Sequence, residues 1–212
     1  MTVWREDPVP QEWRGLWRRL ALERPDGSGD ITSQVLWLQT ESLFVDVRIP
    51  ADRPVVSGFH ADLSRQEGFA GRVRHDGDCV QWLRRIDYRP LGVPDEGRVR
   101  REGRMLVERG LHEPYVEHWW QVEDGADTEV IADTERCIIV RAGDHLMLAE
   151  ERRPSAPANL VAAVEDPGAL ALSLDCEITY ARRAATGWCI AASTLPWREG
   201  RVLTARDLQK NR

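Results

Sequence analysis

The stretch that most limits what this chain can fold into runs from Val35 to Pro50, VLWLQTESLFVDVRIP. Two alternating runs flank Thr40, Glu41 and Ser42. Strand side chains point to opposite faces in turn, so the alternation predicts a hairpin. Leu36, Leu38, Leu43, Val45, Val47 and Ile49 make one wholly apolar face. Trp37, Gln39, Phe44, Asp46 and Arg48 make the other. A solvated face rarely carries Trp and Phe, and a packed core rarely carries Asp and Arg. The wall of a ligand cavity holds both kinds; a partly wet sheet face with a structural Asp46–Arg48 pair is the alternative.

The rest of the chain repeats the theme. Trp13, Leu16, Trp17 and Leu20 fit a helix, while Leu16, Arg18, Leu20 and Leu22 equally fit a strand entered from a short helical turn. Residues Pro25 to Asp30 form a turn by composition, and Ala61 to Glu67 suit a helical turn or two. Phe69–Val73 and Cys79–Tyr88 read as a hairpin around Asp76–Gly77, with Val80, Trp82, Arg84, Ile86 and Tyr88 sharing one face. Arg104–Arg109 pairs with Tyr115–Glu123, which places Tyr115, Glu117 and Trp119 together and His118 opposite them. Glu129–Ala132, Cys137–Arg141, Leu146–Arg152, Leu170–Ala181 and Trp188–Thr194 continue the meander. A short helix is expected over Ala158–Glu165, with Asn159 as its cap. About nine or ten strands with turns between them predict an all-β, closed antiparallel barrel with a short N-terminal helical turn and one or two short helices. Closure removes exposed edges, and a barrel of this size can enclose one small ligand. No repeat or linker divides the chain, so residues 1–212 read as a single domain, with an arm over 1–10 and a charged tail over 204–212.

Composition removes several classes of function. Lys210 is the only lysine, which argues against Schiff-base and pyridoxal-phosphate chemistry and against a phosphate-loop lysine. The net charge of -6, with no basic stripe, speaks against nucleic acid. Cys79, Cys137, Cys176 and Cys189 have no CxxC or zinc spacing and read as reduced core or near-core residues. No apolar leader or membrane-length run is visible, so a cytoplasmic, membrane-free protein is expected. Trp4 in the arm packs on the surface or on a partner, which leaves a homodimer open.

Several segments together resemble a known group. They are WLQTESLFVDVRIP at Trp37–Pro50, Phe69–Ala70–Gly71, WLRRIDYRP at Trp82–Pro90 and YVEHWW at Tyr115–Trp120. They resemble a calycin-like β-barrel family related to the HRI-type fungal proteins and bacterial relatives of unassigned function. Gly15–Leu16–Trp17 matches the Gly-x-Trp that opens lipocalin barrels. The resemblance implies a lipocalin-like barrel and carries over no catalytic residue. Calycins mostly bind small apolar molecules; some such barrels have become isomerases, dehydratases or cyclases of natural-product biosynthesis. Others hold haem through a late histidine, and here no histidine follows His145.

The site expected from these residues gathers Asp46 and Arg48 with Asp87, Glu108 and Glu117. Trp37, Phe44, Tyr115 and Trp119 serve as walls, and Gln39, Arg48 and Glu117 as anchors for an apolar or aromatic molecule. A carboxylate desolvated in such a barrel becomes a usable general acid or base near neutral pH, whereas an adjacent Arg keeps it ionised. Two further readings follow. One is an enzyme in which Glu117 or Asp46 moves a proton and Arg48 stabilises an oxyanion; the other is an interaction module with a filled core. The spacing of His112, Glu113, Glu117 and His118 matches no standard metal motif, and Glu117 and His118, on opposite strand faces, cannot easily share one metal. Neither a metal nor any other cofactor is expected. Trp13, Trp17, Trp188 and Trp197 are expected to plug the barrel's base and lid.

Overall fold

The structure, a computed structural model, describes residues 4–6, 8–90, 92–154 and 167–209. The helix expected over Ala158–Glu165 lies outside the described residues. A short 3-10 turn, Gln11–Trp13, leads into β1 (Gly15–Glu23), so the strand alternative holds for this segment. There follow β2 (Gly29–Asp30), β3 (Gln34–Gln39), β4 (Leu43–Ile49), β5 (Glu67–Asp76), β6 (Cys79–Asp87), β7 (Asp95–Glu102), β8 (Met105–Gly110) and β9 (Val116–Asp124). Each of β3 to β9 pairs antiparallel with its neighbour, and β9 returns to pair with β1. Eight strands thus close a barrel, with the two-residue β2 as an appendage to β1. At the seam, Gly15 has φ +111°, and a Cβ there would lie 2.2 Å from the Glu123 carbonyl oxygen, so only glycine fits.

The remaining strands do not join the barrel as the meander reading expected. β10 (Thr128–Asp133), β11 (Cys137–Ala142), β12 (His145–Glu151), β13 (Cys176–Ala184) and β14 (Gly187–Ser193) form a separate five-stranded antiparallel sheet. Two short helices, α1 (Pro167–Leu174) and α2 (Ala205–Leu208), accompany it. Leu170–Leu174, expected as strand, is therefore helical. Its Ala-Leu-Ala-Leu run satisfies a period of 2 on paper, but Ala and Leu are the strongest helix formers.

The second sheet explains the hairpin that organises the sequence. The apolar face of β3 and β4, including Leu36, Leu38, Val45 and Val47, packs outward onto Ile138, Val140, Met147 and Ile178. The mixed face turns inward: Trp37 and Phe44 join Val9, Trp13, Trp17, Phe69, Val73, Val80, Trp82, Val99, Leu106 and Trp119 inside the barrel. Trp188 instead packs on the far face of the second sheet, and Trp197 meets Phe59 at 4.9 Å between ring centres. Of the four tryptophans expected as barrel plugs, only Trp13 and Trp17 take that place. They close one end, with the Trp17 indole Nε1 donating to the Trp13 carbonyl at 2.8 Å.

β6 does not keep one face throughout. A bulge slips the register between Ala70↔Ile86 and Gly71↔Arg84. Val80 and Trp82 therefore face the barrel interior, whereas Ile86 and Tyr88 pack in the core shared with the second sheet. A Cβ on Gly71 would fall 1.9 Å from the Leu83 carbonyl oxygen, so the bulge depends on the missing side chain.

Candidate functional site

Inside the barrel the lining changes character along the strands. The end sealed by Trp13 and Trp17 is apolar. The middle is aromatic: Trp37 meets Trp17, Trp82 and Trp119 at 6.2, 6.0 and 5.8 Å between ring centres. Beyond the rings, toward the open end, the inward positions become ionic. Strand β4 passes from Phe44 to Asp46 and Arg48, and β9, read backwards, from Trp119 to Glu117.

The ionic groups form a chain of pairs. Arg48 Nε donates to Asp46 Oδ1 at 2.9 Å, and Arg48 Nη1 to Glu117 Oε1 at 3.3 Å. Arg19 Nη1 donates to the same Glu117 oxygen at 2.6 Å, and its Nη2 to Asp30 at 2.5 Å. Glu108 lies directly across the strand pair from Glu117. Its two oxygens accept from the Tyr115 hydroxyl at 2.6 Å and the Trp119 indole at 3.2 Å. The Arg84 guanidinium carbon lies over the Phe69 ring, 3.5 Å from its centre, and its nitrogens donate to Asp95 and Asp87.

Burial sets the protonation of these acids. Asp46 is 2 % exposed, and desolvation, against the pull of Arg48, pushes its pKa up to about 6. Glu108 rises well above the carboxylate range, first by burial and then by the charge of Glu117. Like charges directly opposed across strands destabilise each other, and a proton on Glu108 removes that repulsion. Burial also raises Tyr115, with Glu108 adding to the effect, so its hydroxyl remains a donor.

The barrel is not hollow. The rings expected as cavity walls pack against one another and leave a void of about 10 Å³ among Trp37, Asp46, Phe69 and Glu108, room for no more than about one water. The open space lies at the mouth, a cleft of about 160 Å³ whose floor includes Arg48, Glu117 and Tyr115. Leu22, Val93 and Pro94 give it an apolar side, and Arg24, Glu67, Glu96 and Glu113 stand around it. One oxygen there is conspicuous: Glu117 is 1 % exposed, and its Oε2 has no hydrogen-bond partner among the described residues.

The sequence-derived site therefore divides. Asp46, Arg48, Glu108, Tyr115, Glu117 and Trp119 come together at the charged end. Trp37 stands in the ring layer beneath them, and Phe44 packs against Phe69 at 5.9 Å. Gln39 lies toward the sealed end, where its amide donates to the Thr40 and Leu43 carbonyls and Oε1 is unpartnered. Asp87, which the bulge turns to the same face as its inward partner Phe69, pairs with Arg84 and lines an open groove beside β6. His112 and His118 pair with Glu96 at 2.9 Å and Glu23 at 3.5 Å, two separate places. Arg19, Arg84 and Asp95 complete the network and were not singled out in the sequence. Arg19 sits in an alternating strand whose inward face was ambiguous, and Asp95 opens a strand with almost no apolar signal.

No known family model, curated protein or solved structure matches this chain at a significant level. No helix among the described residues is long and apolar enough to cross a membrane.

Proposed function

We propose that the chain is a small-molecule-binding barrel of the calycin-like kind, and that its ligand sits at the mouth, with its apolar or aromatic body outside the ring layer. The support for kinship is architectural: an eight-stranded antiparallel closure, a helical turn before β1, and tryptophans sealing one end. The observation that carries the binding reading is Glu117 Oε2. A buried acceptor left without a donor costs about 1–3 kcal/mol, so a ligand N–H or O–H reaching it recovers that loss. Leu22, Val93, Pro94 and the Tyr115 ring offer a surface for the rest of the molecule.

The cleft is small against the usual ligand pocket of roughly 300–1,000 Å³, so the ligand is fragment-sized or inserts only one end. Catalysis by Asp46 finds less support than binding, because Asp46 borders the inner void and not the mouth. Glu117, with Arg48 beside it, is the one candidate acid-base residue that meets the cleft.

A fragment screen by thermal shift, followed by amide chemical-shift mapping, tests the reading. Hits are expected to move the amides of Leu22, Tyr115 and Glu117. Hits confined to the groove outside β6, or no hits at all, would refute it.

A further inference from the structure

The charges at the barrel mouth do not balance. Each inward arginine sits between two carboxylates: Arg19 between Asp30 and Glu117, Arg48 between Asp46 and Glu117, Arg84 between Asp87 and Asp95. Three guanidiniums thus serve five acids, and Glu108 is a sixth. A proton on Glu108 lowers the excess without abolishing it. At the rim, Glu67 and Glu96 have Arg89 and His112 within 3.9 and 2.9 Å, while Glu113 and Arg24 face the cleft beside them, so the rim leaves the excess of the interior uncancelled. Low-dielectric walls focus such a field into the cleft. Glu117, whose buried Oε2 lacks a donor, is one of the residues lining this negative cleft, and a cationic N–H that reaches that oxygen makes the stronger, charge-assisted bond.

We propose that the molecule bound at the mouth is a small organic cation, a primary ammonium or an amidinium. Its N–H donates to Glu117 Oε2, and its short apolar or aromatic body rests on Leu22, Val93, Pro94 and Tyr115. The proposal rests on the mouth being the binding site and adds the charge of the ligand. An anion meets the opposite situation, since the arginines that would receive it already hold two acceptors each. A neutral alcohol of the same shape makes the hydrogen bond and gains nothing from the field.

The test compares three probes of one shape, benzylammonium, benzyl alcohol and benzoate, by isothermal titration calorimetry on the full chain at low salt and pH 7.5. Benzylammonium is expected to bind at least tenfold tighter than benzyl alcohol, with benzoate weakest, and the preference is expected to shrink as salt is raised. Glu117→Gln is expected to reduce the preference to about twofold. Glu113→Lys, a charge reversal at an exposed rim position that belongs neither to the ion chain nor to the apolar side of the cleft, is expected to weaken benzylammonium several-fold and spare benzyl alcohol; this variant carries the test if Glu117→Gln does not fold. Equal affinity for the amine and the alcohol, or preference for benzoate, with shifts at Tyr115 and Glu117, would overturn the charge assignment and leave the mouth site standing. Absence of binding by all three, together with an empty fragment screen, would remove both.

Discussion

The energetic weight of the charged end can be read from the pH dependence of one residue. Asp46 has an ordinary pKa of 3.8 and is raised to about 6 in the fold, chiefly by desolvation. An acid whose folded pKa is raised binds its proton more tightly when folded. Its favourable share of stability is therefore complete below about pH 4 and is lost as pH rises through about 6. A rise of roughly two units corresponds to about 3 kcal/mol at full development. Asp87 and Asp175 are also raised by burial, and Asp30 and Asp207 are lowered and contribute with the opposite sign at lower pH. Only a difference measurement isolates Asp46. Asp46→Asn keeps the shape and removes the titration, so the stability of the natural chain relative to the variant should fall by about 3 kcal/mol between pH 3.5 and pH 7. Urea unfolding followed by tryptophan fluorescence measures this, because the ring layer lies directly beneath the site. With a slope near 2–3 kcal/mol per molar, the two midpoints should move relative to each other by roughly 1 M. A pH-independent difference would refute the reasoning. A difference of the opposite sign would show that the attraction of Arg48 outweighs the desolvation of Asp46.

The two opposed glutamates should respond unequally. Glu108→Gln puts a neutral amide where burial already favours the neutral acid and should change stability by less than about 1 kcal/mol at pH 7, whereas Glu117→Gln strips charge from two arginines and should cost about 3 kcal/mol by the same urea assay. Gly71→Ala should destabilise by about 1–3 kcal/mol and lower the melting temperature, since its methyl meets the Leu83 carbonyl; an unchanged melting temperature would mean that the bulge is not tight. In the native protein, Cys79 and Cys189 should react with a thiol reagent while Cys137 and Cys176 do not, and all four should react in denaturant; burial also pushes the Cys176 thiol up, which slows it further.

How much of this was legible depends on what each residue faces. The hairpin Val35–Pro50 could be read because both of its faces are buried, one against a second sheet and one inside the barrel, so both left a composition. Strand β7 was missed because Val99 is its only buried apolar side chain and Gly97 stands where a second would be. Alternation along β6 misled beyond Arg84, since a bulge changes which residues face inward without altering the sequence period. The closure of β9 onto β1 joins segments about 100 residues apart, and no local pattern ranks that pairing above continuation into the later strands. Gln39 was assigned to the right side of its strand's alternation but stands at the sealed end, whereas Asp87 reaches the inward face, opposite Phe69, only because the bulge breaks the alternation that groups it with Gln81 and Leu83.

The charges themselves ask for a reason, because the fold does not require them. The apolar end of the same barrel is filled by Trp13, Trp17, Phe44, Val73, Val80 and Leu106, and identical strand geometry would accept similar residues at the mouth. Buried ion networks replaced together by apolar residues of like volume are often neutral or stabilising by about 1–4 kcal/mol, in contrast to the loss when one partner is removed. If Asp46, Arg48 and Glu117 serve ligand binding, the triple change Asp46→Leu, Arg48→Met, Glu117→Met should yield a folded barrel, with Arg19 still paired to Asp30, at least as stable as the natural chain at pH 7. That variant should have lost the preference for benzylammonium. Circular dichroism and urea unfolding measure the first outcome, calorimetry the second. A triple variant that unfolds or drops by more than about 3 kcal/mol would make the ions a structural device that fixes the register of β4 against β9, and the filled-core reading would then account for them without any ligand.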